Sequence, residues 1–199
     1  MEKRRYNSPL RGKRKAETIQ QILDAAVRLH RQGITDFPSV AREAGISLAT
    51  VTKYFPTREE LFQGCTAHFA SRLPPISPEA WAGIPGGPER VERVLADILS
   101  IYEVGFGQIW VAYRLAEESR VMEGMLQTIH GVCHTAAQVI AGDSIPPERR
   151  AERIAVIAGL LSPLTYRSLR LVSGLSPEEA SQWLARVILA ALECEEGSR

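Results

Sequence analysis

Several residue types and patterns are scarce in this chain of 199 residues, and each scarcity argues against a class of protein. The three cysteines, Cys65, Cys133 and Cys194, are few, odd in number and far apart, which argues against a disulfide framework and favours a reducing compartment. No run of about 18 apolar residues is present, and the basic N-terminus leads into an amphipathic segment. We therefore expect a cytoplasmic protein with neither a membrane span nor a secretory signal.

Sequence patterns for catalysis and cofactor binding are also missing. We find no nucleophile–base pattern, no glycine-rich phosphate loop and no strong metal motif. The sequence therefore predicts no catalytic residue, no metal and no cofactor, and a small helical enzyme is the less favoured alternative. Sustained strand-like alternation is absent as well, whereas apolar residues recur at helical spacing, so we expect an all-α fold.

Charge is divided unevenly along the chain. Residues 1–72 contain 13 Lys and Arg against 7 Asp and Glu, whereas residues 73–199 contain 11 against 16. A basic N-terminal part next to an acidic C-terminal part indicates a module that binds a polyanion. The Pro- and Gly-rich segment Leu73–Arg90 marks the boundary. We expect a DNA-binding domain over 1–72, in which residues 1–12 form a basic arm or a disordered tail, and a second domain over 73–199.

Caps, breakers and apolar spacing together predict about nine helices. A break is expected at Gly105–Gly107 and a kink at Pro163. The predicted helices are Lys13–Gln32, Pro38–Ala44, Leu48–Phe55, a fourth from Thr57 to about Arg72, Pro88–Glu103, Gln108–Glu118, Arg120–Ala141, Pro147–Val172 and Pro177–Glu195.

The two short helices near the N-terminus have the spacing of a helix-turn-helix. Asp36 and Ser47 are predicted N-caps, Gly45 provides the left-handed turn, and Thr57 with Glu60 forms a capping box. Val40, Ala41, Ala44, Ile46 and Val51 are expected to face the core. This leaves an outer face suited to the DNA major groove, formed by Leu48, Ala49, Thr50, Thr52 and Lys53.

The segment Asp36–Phe62 (DFPSVAREAGISLATVTKYFPTREELF) resembles the signature of the TetR/AcrR family of transcriptional regulators. The matching features are the Val-Ala pair, Ala-Gly-Ile-Ser, Thr50, Tyr54-Phe55-Pro56 and the Arg58-Glu-Glu-Leu-Phe62 start of the fourth helix. The resemblance covers about the first 70 residues; beyond them only helix number and order match. It implies a ligand-responsive regulator, expected to be a repressor, that binds a palindromic DNA operator as a dimer. A ligand-independent DNA-binding protein or an activator is the alternative.

The resemblance also assigns roles to residues. Thr50, Tyr54 and Arg58 are expected to contact phosphates, and Leu48, Ala49, Thr52 and Lys53 to approach base edges; Tyr54 could instead be a half-buried ring that braces the third helix. Lys53 is the one long donor of the reading face and is our candidate for a guanine contact. Ser39, Ser47 and the basic residues Arg11, Lys13 and Arg14 complete the predicted DNA-binding set.

In this family the last two long helices pair with their copies in a dimer, and both helices here carry wide apolar stripes. The predicted dimer interface consists of Ile157, Leu161, Leu164, Trp183, Leu184, Val187, Ile188 and Ala191. The alternative is that both stripes face the core of one chain.

The middle helices are rich in aromatic and soft side chains, which suits a small apolar or aromatic effector. The predicted effector-binding residues are Tyr102, Phe106, Trp110, Tyr113, Arg114, Met122, Met125, Leu126, Ile129, His130, Cys133 and His134. Core packing is the alternative for each aromatic residue, and pairing with Glu117 or Glu118 is the alternative for Arg114. The spacing of His130, Cys133 and His134, with Cys65 and His68, also permits a zinc site, which we consider the less favoured reading.

Overall fold

The computed structural model describes residues 8–142 and 145–193, and all regular structure in these ranges is helical, which confirms the all-α fold. The described residues pack as two compact units: a first unit of residues 8–72 and 110–123, and a second unit of residues 73–109, 124–142 and 145–193. Ten α-helices and one π-helical turn follow in order: α1 Ser8–His30, α2 Phe37–Ala44, α3 Leu48–Tyr54, α4 Arg58–Ala70, α5 Pro78–Ala82, α6 Pro88–Leu115, α7 Arg120–Ala141, α8 Pro147–Leu160, α9 Pro163–Arg167, the π turn Ser168–Val172 and α10 Pro177–Glu193.

The core of the first unit is formed by α1 to α4. Ile22, Val40, Val51 and Leu61, one from each helix, have no exposed surface. Ala41 is buried with them, and its small side chain lets α1, α2 and α3 approach one another closely. The predicted frame of the helix-turn-helix is therefore confirmed.

The first helix begins at Ser8, five residues before the predicted start at Lys13. Pro9 falls in the first helical turn, where a missing backbone N–H costs no hydrogen bond, so nothing stops the helix there. Residues 8–12 are thus helical instead of forming an arm, whereas residues 1–7 lie outside the described part of the chain. Arg11, Lys13 and Arg14 are exposed on this N-terminal extension of α1.

The break predicted at Gly105–Gly107 is wrong, because α6 runs without interruption from Pro88 to Leu115. A glycine inside a helix costs about 1 kcal/mol relative to alanine, and burial of Tyr102, Ile109 and Ala112 on the same helix outweighs that cost. Among the described helices only α6 has the length and composition to cross a membrane, and 50% of its most apolar stretch is buried inside the chain. Core helices of soluble proteins pass the same test, so this is weak evidence for a span.

The Pro- and Gly-rich segment before α6 contains a short helix, α5, that the sequence did not predict. Trp81 of α5 is fully buried, and its indole N–H donates to the Asp97 carboxylate of α6 at 2.7 Å. The Arg90 guanidinium donates to the carbonyl of Ile84 at 2.6 Å and to that of Val139, at the end of α7, at 2.9 Å. These side-chain bonds hold the segment on the second unit.

Pro163 ends a helix instead of kinking one, so the predicted single helix Pro147–Val172 is wrong. Pro163 has no N–H to donate to the carbonyl of Gly159, and the Thr165 hydroxyl donates to that carbonyl at 2.7 Å instead. Ser162 caps α9, which passes directly into the π turn. The bounds of α7 are as predicted, and Ser176 caps α10 as expected; the predicted end of α10 at Glu195 lies outside the described residues.

Candidate nucleic-acid interface

The third helix, α3, presents one face to solvent. The Ser47 hydroxyl caps it by accepting a hydrogen bond from the Thr50 N–H at 3.1 Å. Val51 on the inner face is fully buried, whereas Ala49 and Lys53 are exposed and Leu48 keeps 44% of its surface in solvent. A helix anchored on one side and exposed on the other has the form of a recognition helix.

Most hydroxyl groups near this face already have partners in the chain. Thr52 donates to the Leu48 carbonyl at 3.1 Å, and the Ser47 and Thr50 hydroxyls lie 2.8 Å apart. Ser39, half-buried in the first turn of α2, accepts a hydrogen bond from the Arg42 guanidinium at 3.3 Å. A phosphate or base edge would have to share or displace these bonds.

Two neighbouring residues at the end of α3 differ in their surroundings. The Lys53 ammonium is exposed and lies 5.7 Å from the centroid of the Tyr54 ring. Tyr54 is half-buried and packs against the core of the first unit, as its bracing role requires. Lys53 is the one basic residue of α3.

The fourth helix is separated from α3 by three residues and packs against α1. Thr57 and Glu60 form the predicted capping box. Gly64, which sequence reasoning did not single out, lies where a Cβ would come within 2.9 Å of Phe55 and 3.0 Å of Leu23. Only its pairing with distant residues shows this need for glycine, so no local pattern would have found it.

Arg58, at the start of α4, is engaged within the first unit. Its guanidinium lies 3.4 Å from the Glu118 carboxylate and 4.9 Å from the centroid of the Phe62 ring. Both members of the ion pair remain exposed, with 43% of the Arg58 and 62% of the Glu118 side chain in solvent. The predicted phosphate donor therefore has an intramolecular partner that the sequence did not reveal.

A buried histidine lies close to this ion pair. His30, only 2% exposed, meets the Phe62 ring edge-on at 5.5 Å between centroids. Its Nε2 has no hydrogen-bond partner among the described residues. Burial, assisted by the nearby Arg58 charge, lowers the pKa of His30 to about 4, so the ring is neutral at physiological pH.

The predicted dimer-interface residues divide into two groups. Ile157, Leu161, Leu184 and Ile188 are buried in the core of their own chain, so they cannot contact a second copy and their assignment to an interface is wrong. Each apolar stripe is wide enough that its inner half packs α8 against α10. The other half remains outside: Leu164 is 43%, Trp183 53% and Val187 43% exposed, and Ala191 is half-buried.

The predicted effector-binding residues do not fall in one unit. Trp110, Tyr113, Arg114 and Met122 belong to the first unit, where the Arg114 guanidinium lies against Gly33, and the others belong to the second. There the Tyr102 hydroxyl donates to the Leu161 carbonyl at 2.7 Å and lies 3.3 Å from Cys133 Sγ. A separate open groove of about 410 Å³ in the second unit contains none of the predicted residues and is lined by Ala96, Leu99, Ser100, Glu103, Tyr166, Pro177, Glu178, Ser181 and Gln182.

The geometry does not favour the zinc alternative. Cys133 is buried while His130 and His134 are exposed, so the three side chains do not converge. Burial raises the pKa of the Cys65 thiol to about 12, which opposes the thiolate form that binds metal. The described residues contain no group of three or more His, Cys, Asp or Glu placed to hold a metal ion.

Comparisons with known proteins agree with this geometry. Residues 22–65 match the sequence pattern of bacterial regulatory proteins of the tetR family. A TetR-like transcriptional regulator from Rhodococcus sp. RHA1 superposes with a TM-score of 0.64 at 22% identity, covering 89% of this chain and 97% of its own. A TetR-family regulator from Streptomyces coelicolor A3 has a TM-score of 0.46 at 19% identity, with coverages of 90% and 96%. No curated protein sequence matches the chain.

The tetR pattern and the structural similarity extend over different parts of the chain. The tetR pattern coincides with α1 to α4, where Ser47 caps an exposed α3 over the buried Val51. The similarity to the Rhodococcus regulator shows that the fold extends along most of the chain. Residues 22–65 therefore carry the sequence pattern of bacterial regulatory proteins of the tetR family, and the chain has the fold of a TetR-like transcriptional regulator.

Proposed function

We propose that the protein is a ligand-responsive repressor that binds a palindromic double-stranded DNA operator as a homodimer and leaves it when a small apolar or aromatic effector binds. The observation that carries this proposal is α3, capped at Ser47 and exposed at Leu48, Ala49 and Lys53. In the proposed complex Lys53 reads a base edge in the major groove, and Leu48 meets a thymine methyl group. Phosphate contacts come from Ser39, Ser47, Thr50, Tyr54, Arg58 and the exposed Arg11, Lys13 and Arg14 of α1.

Selection of bound fragments from a random DNA pool, followed by sequencing, tests the DNA-binding part. We expect two inverted half-sites about one helical turn or somewhat more apart. Lys53→Ala should lower affinity for the selected site more than for random DNA, by about 1–3 kcal/mol. Arg93→Ala, which removes a charge from α6, is the control and should change neither. Equal losses on both DNAs for Lys53→Ala would contradict a base-reading role.

The exposed halves of α8 and α10 support the homodimer. Trp183 and Val187 lie one turn apart on α10, and Val156 on α8 is 46% exposed. Clusters of exposed large apolar side chains are typical of interaction surfaces. Val187→Glu should shift sedimentation from dimer to monomer, whereas Leu171→Glu, at a 57% exposed position in the π turn, should not. A dimer that survives Val187→Glu would argue against this face.

Effector binding is proposed for the middle of the second unit. The contacts Arg90–Val139 and Tyr102–Cys133 show that α6 and α7 run antiparallel there. Phe106 and Ile129, each one turn beyond Tyr102 and Cys133, are half-buried and apolar. Thermal-shift screening with apolar and aromatic compounds, repeated on Ile129→Asp, tests this site. A hit that also releases DNA identifies an effector; DNA binding unaffected by every hit would favour the ligand-independent alternative.

A further inference from the structure

Two consecutive residues of α4 hold the segment that joins α6 to α7. Arg58 pairs with Glu118 at 3.4 Å, and the Glu59 carboxylate accepts a hydrogen bond from the Val121 N–H at 3.3 Å. Between these contacts, Ser119 caps α7 by accepting from the Met122 N–H at 3.2 Å. All of these residues lie in the first unit. The start of α4, four residues after Tyr54 of α3, is thus fastened on both sides of the α7 N-terminus.

The Arg58 guanidinium has different surroundings on its inner side and on its solvent side. On the inner side it meets the Phe62 ring and approaches neutral His30, neither of which neutralises its charge. Glu118 supplies the one carboxylate within ion-pair distance among the described residues. With 43% of the Arg58 side chain in solvent, a DNA phosphate could take the place of Glu118.

We propose that Glu118 is a positioning residue that competes with DNA for Arg58, so that the placement of the α6–α7 segment sets the affinity for DNA. This inference rests on the proposed phosphate contact of Arg58. In the free protein Glu118 occupies the guanidinium; in the complex Arg58 turns to a phosphate and Glu118 is left to solvent. An effector that moves α6 or α7 would change how strongly Glu118 competes.

The magnitude of this competition is bounded by the exposure of the pair. Exposed ion pairs contribute little free energy. Removing the competitor Glu118 should therefore raise DNA affinity by only about two- to fivefold per chain. A phosphate can therefore break the Arg58–Glu118 pair readily. Moderate energies of this size suit a contact that forms in one state and opens in the other.

The test uses the full chain and a random-sequence DNA duplex, because a phosphate contact does not depend on sequence. Fluorescence anisotropy across a salt series compares Glu118→Gln with Glu117→Gln, which removes the same charge from the exposed neighbouring residue. Glu118→Gln should raise affinity about two- to fivefold more than Glu117→Gln. The same two changes are then made in an Arg58→Ala background, where they should have equal effects.

The possible outcomes separate failure of the competition proposal from failure of the proposed function. Arg58→Ala alone should lower the slope of log affinity against log salt by about 1 per chain, as the loss of one phosphate contact requires. If Glu118→Gln keeps its larger gain without Arg58, or never exceeds Glu117→Gln, the competition proposal is overturned while DNA binding stands. If the unaltered protein shows no salt-dependent binding, the proposed function itself fails.

Discussion

The two units of this protein differ in how completely one chain covers its own apolar side chains. In the first unit α2 and α3 expose mainly small, polar or charged residues, with Leu48 as the large apolar exception. In the second unit α8, α9 and α10 leave Val156, Leu164, Trp183 and Val187 at least 43% exposed. The first unit thus offers a polar face that suits DNA, whereas the second offers an apolar face that suits another protein surface.

The helix-turn-helix of the first unit and the helices of the second unit also differ in what holds them in place. Helices α2, α3 and α4 begin at the short-range caps Asp36, Ser47 and Thr57, although Arg58 with Glu118 also joins distant residues within the first unit. The second relies on side-chain bonds between residues distant in sequence, such as Trp81 with Asp97 and Tyr102 with the Leu161 carbonyl. Loss of one of these contacts should therefore destabilise a larger part of the second unit than loss of one cap destabilises of the first.

The largest expected effect follows from truncation of the Trp81 side chain. Trp81→Ala leaves a cavity and removes the donor to Asp97, and should lower the free energy of unfolding by about 3–5 kcal/mol. Trp81→Phe keeps most of the packing and should cost less. Urea denaturation measures both, and hydrogen exchange should increase more in α6 and α7 than in α2 and α3. Equal increases in both regions would mean that the units do not differ in this way.

Acid should weaken the first unit through His30. The pKa of His30 is about 4 in the folded chain against about 6.5 when unfolded, so the unfolded state binds the proton more readily. Stability is therefore unaffected above pH 6.5 and decreases as the pH falls towards 4, by about 3 kcal/mol in total. Hydrogen exchange at pH 4.5 should increase first around α1 and α4, where His30 packs against Phe62.

The matched variant for this prediction is His30→Leu, which removes the titrating group from the core. Its free energy of unfolding, measured by urea denaturation from pH 7 to pH 4, should fall less steeply than that of the unaltered protein. If the slope between pH 6.5 and 4 is unchanged in His30→Leu, other groups cause the acid sensitivity.

A smaller effect is expected at Gly64. The added methyl of Gly64→Ala would crowd Phe55 and Leu23, costing about 1–3 kcal/mol, less the gain of up to about 1 kcal/mol from better helix propensity. DNA binding should weaken as well, because Phe55 directly follows α3. Gly124→Ala in α7 is the control, since nothing lies within 4 Å of its added methyl. If both variants are more stable than the unaltered protein, the space around Gly64 accepts a methyl group without steric cost.

The same contrast explains which features could be predicted from the sequence. The bounds of α2 and α3 follow from Asp36, Gly45 and Ser47, whose effects reach only a few residues along the chain. The continuity of α6 through Gly105 depends on burial that neighbouring residues do not encode. The Arg58–Glu118 pair joins residues 60 apart, and the inner and outer halves of α10 carry equally apolar residues, so neither was predictable from local pattern.

The smallest effects compare two glycines, one from each unit, whose added methyl would meet nothing within 4 Å. Because neither site has a steric cost, alanine should report backbone conformation alone. Gly45 has φ of +66°, so Gly45→Ala should destabilise the chain by about 1–2 kcal/mol. Gly159 lies inside α8, so Gly159→Ala should stabilise it by up to about 1 kcal/mol. Urea denaturation measures both, under conditions where the chain is monomeric. If Gly159→Ala lowers the stability under those conditions, the added methyl must meet other side chains of the same chain. The α8 surface would then be closed within one chain. In that case a self-contained first unit could no longer be distinguished from a second unit with an open apolar face.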